Sequence, residues 1–88
     1  MDTPRVDPKD AYNTAVAAVL SDRRKELRMT IDELTEKTEL SRATVLRLLA
    51  GQRDIRMGYF IALVRALDVE PSQVITEASA RIPAVVGD

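Results

Sequence analysis

Two capped helical units, separated by only three residues, constrain this chain more than any other feature. Thr30 opens the first unit. A hydroxyl at an N-cap with Glu33 three residues on makes a capping box, in which each side chain satisfies the other residue's backbone N–H. The pattern predicts a short helix centred on Leu34 and ending near Thr38. Ser41 opens the second unit, and Gly51 closes it as a C-terminal cap. Within that second helix Val45, Leu48 and Leu49 share an inner face, while Arg42, Thr44 and Arg47 stand off it. Only Thr38, Glu39 and Leu40 join the two units, and so tight a turn forces helices to cross steeply. The second helix then projects its outer face away from the core. Leu34, Leu40, Val45 and Leu48 supply the buried side of the pair.

The remaining elements follow from the same kind of signal. Asp7 and Pro8 read as an N-cap and first helical position, with Asp10 in the first turn. Tyr12, Ala15, Val16, Val19, Leu20 and Leu27 then recur at helical spacing, which predicts a long first helix over about 8–27. Arg23, Arg24, Lys25 and Arg28 read as its solvated C-terminal end, favourable to the helix dipole. After a polar loop, Gln52 to Arg56, a fourth helix is predicted from Met57 to Leu67, with Phe60, Ile61, Val64 and Leu67 inward. Met29 and Met57 read as core filler. Pro71 opens a fifth helix carrying Val74, Ile75 and Ala78, and Pro83 and Gly87 end the order. No alternating strand pattern and no repeat interrupts this series. The expected fold is all-α, a compact bundle of about five short helices. Its organisation is an N-terminal arm over 1–6, one domain over 7–80 and a C-terminal tail over 81–88.

A chain of 88 residues makes one domain and buries only about 60% of its unfolded surface. It contains no cysteine and no histidine, so disulfides, thiolate zinc sites and histidine-based catalysis lose their residues. The carboxylates Asp32, Glu33 and Glu36 read as a wet helix face rather than a metal site. No nucleophile–base pair and no phosphate-binding loop is present. The expectation is a protein that is not an enzyme and needs no metal or cofactor. No apolar run approaches the roughly 20 residues that span a bilayer, and the first residues lack the order of a signal peptide. A soluble cytoplasmic protein with no membrane partner is therefore expected. The formal net charge is −1, but the charges are segregated. From Ser41 to Leu67 there are five arginines, Arg42, Arg47, Arg53, Arg56 and Arg65, against one acid, Asp54. The acids collect earlier, at Asp32, Glu33, Glu36 and Glu39. A local basic face, not the total charge, is what a nucleic-acid partner requires.

From about Leu20 to Pro71 the sequence resembles the lambda-repressor-like and Cro-like helix-turn-helix family. The resemblance rests on Thr30-Ile31-Asp32-Glu33-Leu34, Ser41-Arg42-Ala43-Thr44-Val45, the basic loop Gly51 to Arg56, and Leu63-Val64-Arg65-Ala66-Leu67. It departs at three places. Ile31 stands where the family often has a phosphate-holding Gln, Glu39 where a turn Gly is frequent, and Thr35 where Ala or Gly is usual. The resemblance implies a lambda-repressor-like fold and a sequence-specific regulator of transcription that binds double-stranded DNA, a repressor or a Cro-like switch. It implies a bacterial host, with the gene bacterial or phage-borne.

The residue chemistry agrees. A helix fits the major groove, and residues near its N-terminus reach base edges. Arg42 and Arg47 can bond guanine bidentately, and Ala43 can touch a thymine methyl. Thr30, Ser41 and Thr44 suit phosphates through their hydroxyls, as do Arg53 and Arg56 in the following loop. An antitoxin, or another protein-interaction module on the same fold, is the alternative, with residues 77–88 as the surface for a protein partner. A single recognition helix reads few base pairs, so a weak homodimer that tightens on DNA is expected. Its surface would be Val69, Val74, Ile75, Ala78, Ile82, Val85 and Val86.

Overall fold

The computed structural model describes residues 8–82, and in them the chain folds as five α-helices with no strand. These are α1 (Pro8–Glu26), α2 (Ile31–Thr38), α3 (Arg42–Leu49), α4 (Met57–Ala66) and α5 (Pro71–Arg81). The predicted arm over 1–6 and the Asp7 cap lie outside the described residues, as do Pro83, Val85, Val86 and Gly87. Helix α5 continues through Arg81, and Ile82 packs against the core, so the first two residues of the predicted tail belong to the folded unit.

The helix ends show why the breaks fall where they do. Thr30 and Glu33 form the expected box: the Thr30 hydroxyl accepts from the Glu33 N–H at 3.0 Å, and the Thr30 N–H donates to Glu33 Oε1 at 2.8 Å. Ser41 caps α3 by accepting the Thr44 N–H at 3.1 Å. Gly51, at φ +73°, ends α3 with two reverse bonds, Gly51 N–H to Leu48 O and Gln52 N–H to Arg47 O. The same closure ends α1 at Arg28 and α4 at Asp68, where no glycine is available. Arg28, Glu39 and Asp68 all take left-handed backbone at φ 55°, 61° and 50°. The tight turn anticipated at Glu39 is thus left-handed, and its N–H returns to Thr35 O at 2.9 Å.

One core serves all five helices. Leu20, Leu34, Val45, Leu48, Leu63, Val64, Leu67 and Val74 are fully buried. Each such side chain contributes about 1.5–3 kcal/mol by leaving water. Helix α1 is the strut to which the others are fastened. Ser21 Oγ donates to Leu49 O at 3.0 Å, Arg23 donates to Leu67 O and Asp68 O at 3.1 and 2.9 Å, and Arg81 pairs with Asp22 at 2.6 Å. Two of the four cations at the end of α1 are therefore not simply solvated, while Lys25 and Arg28 stay exposed. Arg23 closes the last turn of α4, and Arg24 donates to Met29 O at 2.7 Å.

Several expectations of burial are corrected. Met57 is 72% exposed and fills no core, although Met29 does pack there. Ile61 faces outward, and Leu63 occupies the core in its place. Tyr12 and Leu27 are exposed, and Ala17, absent from the predicted stripe, is buried.

Candidate nucleic-acid interface

Helix α3 buries Val45 and Leu48 and half-buries Leu49, which leaves one broad face turned to solvent. At about 100° per residue, Arg42, Leu46, Ala50, Ala43 and Arg47 fall in that order across an arc of roughly 140°. All five are exposed. The three residues assigned to base reading thus share one face, with an arginine on each flank and small or apolar groups between. Leu46 was missed by the sequence reasoning and is 43% exposed on the face, next to Arg42. Its signal was available, because placing Val45, Leu48 and Leu49 inward turns position 46 outward.

Arg42 is ion-paired with Asp32 of α2, across the tight turn. The pairing uses Nη1, so the Nε and Nη2 donors remain open. It also offsets an awkward local charge. The first turn of α3 holds no acid and begins with a cation, which the helix dipole disfavours there. The same absence leaves the positive end of the dipole open to an outside anion.

Beside this face lies a polar cluster drawn from three elements. Ser41 Oγ donates to Thr44 Oγ1 at 2.8 Å. Arg53, in the loop after α3, donates from Nη1 to Thr44 Oγ1 at 3.3 Å and from Nη2 to Tyr59 Oη at 2.7 Å. Its guanidinium also sits 5.0 Å from the centre of the Tyr59 ring, within cation–π range. The loop is pinned from below by Asn13 of α1, whose amide donates to Arg53 O at 3.0 Å and accepts from Ile55 N–H at 2.7 Å. Three of the residues expected to contact phosphate, Ser41, Thr44 and Arg53, are therefore brought together. Tyr59 and Asn13 join them without having been foreseen.

Arg56 is exposed at the N-cap of α4, with no side-chain cap bond. Thr30 stands apart from the cluster, and its hydroxyl is engaged with the cap of α2. That cap has an electrostatic signature: the Thr30 backbone N–H, and then its hydroxyl, hold the Glu33 carboxyl below its ordinary pKa. Glu33 and Asp32 thus turn to different partners. Among the described residues no three acidic, histidine or cysteine side chains gather as a metal site. No described helix is long and apolar enough to cross a membrane.

The surface expected to pair two copies is mostly unavailable. Val74 and Ala78 are buried, Val69 and Ile82 pack on the core, and only Ile75 of the described set stands free. Spare apolar surface instead lines a groove between α1, α4 and α5, formed by Tyr12, Val16, Met57, Phe60, Ile61 and Ile75.

Comparison with known proteins agrees with this architecture. The helix-turn-helix family profile, of Cro/C1 type, matches residues 20–74, well over half of the chain. Among solved structures, the clp gene regulator ClgR from C. glutamicum superposes with a TM-score of 0.78. The match covers 83% of this chain and 95% of that one, at 22% identity. No curated protein matches the sequence significantly.

Proposed function

The chain belongs to the Cro/C1-type helix-turn-helix family of DNA-binding transcriptional regulators, and from that premise we propose that it is a sequence-specific repressor or Cro-like switch. Helix α3 lies in the major groove of double-stranded DNA. The observation that carries this reading is the uninterrupted outer face of α3, with Arg42 and Arg47 flanking Ala43 and Leu46 and no other described element covering it. Arg42 and Arg47 read guanine through paired donors, and Ala43 and Leu46 meet thymine methyls. Ser41, Thr44, Arg53 and Arg56 hold the flanking backbone, and Thr30 adds a phosphate contact at the capped start of α2. The work is binding rather than catalysis. Ile31 gives α2 no polar group where relatives often present Gln, so more of the grip falls on the loop after α3.

Two copies on adjacent half-sites raise specificity beyond what one short helix supplies. The groove around Met57 adjoins Arg56 and so borders the DNA-facing loop. A small patch there supports a weak pair in solution that strengthens on DNA.

Selection of bound duplexes from a random pool, followed by fluorescence anisotropy at several salt concentrations, tests the proposal. With about 4–6 phosphate contacts per domain, the log–log salt slope comes to roughly −4 to −5. Failure to enrich any sequence, with no binding at low salt, would overturn it.

A further inference from the structure

The geometry points to a preformed site for one DNA backbone phosphate between α3 and α4, in which Tyr59 completes a clamp with Arg53 and Thr44. The inference rests on the DNA reading above and deepens it by assigning a binding residue that neither the sequence nor the family resemblance indicated.

The arginines differ in how their charge is satisfied. Arg23, Arg42 and Arg81 each pair with a carboxylate, respectively Glu26, Asp32 and Asp22. Arg53 is held differently. Among the described residues its partners are two hydroxyls and an aromatic face, and no carboxylate pairs with it. Such partners fix a guanidinium in place without neutralising it. Its main chain is fixed too, by Asn13 on either side of Asp54. A long cation is thereby ordered in the free protein, and the rotamer entropy normally lost on gripping a phosphate is already removed.

Proton accounting gives the ligand. A hydroxyl has one proton and two acceptor sites. Tyr59 Oη accepts from Arg53, so its own proton has no partner among the described residues. Thr44 Oγ1 accepts from Arg53 and shares a single hydroxyl bond with Ser41 Oγ, so that pair of hydroxyls keeps one proton free as well. Two uncommitted O–H donors thus stand on either side of one positive charge. That is a donor set for a singly charged, multi-oxygen anion. A phosphodiester of the strand flanking α3 meets that description, since Ser41 and Thr44 form the first turn of the helix placed in the groove.

The test uses Tyr59→Phe, which keeps the ring under Arg53 and removes only the hydroxyl. Binding to a selected duplex and to a scrambled duplex is measured across salt, beside wild type, Arg53→Ala and Arg47→Ala. Tyr59→Phe is expected to weaken both duplexes alike, by about three- to ten-fold, with the salt slope unchanged because no charge is lost. Arg53→Ala is expected to flatten the slope by about one unit. A scan of single neutral methylphosphonates along the selected duplex locates the occupant, at the linkage where wild type and Tyr59→Phe become equal. Thermal unfolding of Tyr59→Phe within a degree or two of wild type separates a lost contact from a lost fold, and Thr44→Ala provides a second reading of the same clamp. Equal binding by Tyr59→Phe and wild type, while Arg47→Ala loses discrimination, overturns the clamp and leaves the DNA reading intact. A loss confined to the selected duplex makes Tyr59 a base reader and likewise overturns it. A wild type that binds no duplex overturns both.

Discussion

Replacing Glu39 by glycine should stabilise the protein or leave it unchanged, although it places the most flexible residue in a turn. Glu39 sits at φ 61°, ψ 21°, where a Cβ crowds the following carbonyl. A non-glycine residue there costs about 1–2 kcal/mol relative to right-handed backbone. Glycine removes that strain but brings a larger entropy loss on folding, about 0.5–1 kcal/mol. The exposed Glu39 side chain makes no hydrogen bond or ion pair with the described residues, so nothing else is lost. The difference is a net gain of between about zero and 1.5 kcal/mol, which for a domain of this size leaves Tm unchanged or raises it by up to about 12 °C. Thermal unfolding followed by circular dichroism measures it. Asp68→Gly provides an internal comparison. Asp68 has φ 50°, but aspartate tolerates left-handed backbone better, so its gain should be the smaller. A clear loss of stability in Glu39→Gly would refute the reasoning, because it would mean that the α2–α3 turn is not held against strain.

Two further predictions concern the cap of α2 and the groove beside α4. Because Glu33 titrates below its ordinary value in the folded chain, its contribution is fully present above the ordinary carboxylate range and is lost as pH falls through the lowered folded value. Glu33→Gln keeps the capping bond and should remove this part of the acid sensitivity, read from Tm against pH; an unchanged profile would show that the box contributes nothing electrostatically. Met57→Asp places a charge in the exposed apolar groove, at little cost to the core because Met57 is 72% exposed. Sedimentation with a full duplex should then show loss of the second bound copy while single-copy binding persists, and undiminished pairing would place the contact elsewhere.

What was legible in the sequence was mainly local. The Thr30–Glu33 box, the Ser41 cap, Gly51 and Pro71 act within four residues of themselves, so their chemistry can be read without the fold. The α2–α3 pair and its outward face followed from those stops together with the spacing of Leu34, Val45 and Leu48. Errors arose where burial depends on a distant neighbour. Helical spacing in α4 admits Ile61 or Leu63 as the inner residue, and only packing against the other helices selects Leu63. Residue type alone places Met57 in the core, yet it begins α4 at the rim of the groove. In the site, Arg42, Ala43 and Arg47 were readable because one helix carries them all. Tyr59 and Asn13 were not, since their bonds to the Arg53 loop depend on how α1 and α4 meet it. The Asp32–Arg42 pair was hidden for the same reason, being made across a turn.

The central claim is that the outer face of α3 reads bases while the loop after it grips the backbone. It is tested most directly by the ratio of affinities for a selected and a scrambled duplex, measured in wild type, Arg47→Ala and Arg56→Ala across salt. Arg47 is exposed on the α3 face, and Arg56 lies in the loop at the start of α4. Arg47→Ala should lose about 1–3 kcal/mol on the selected duplex and collapse the ratio at one base pair. Arg56→Ala should weaken both duplexes equally and flatten the salt slope by about one unit. Equal weakening of both duplexes by Arg47→Ala, with the ratio intact, would contradict the account.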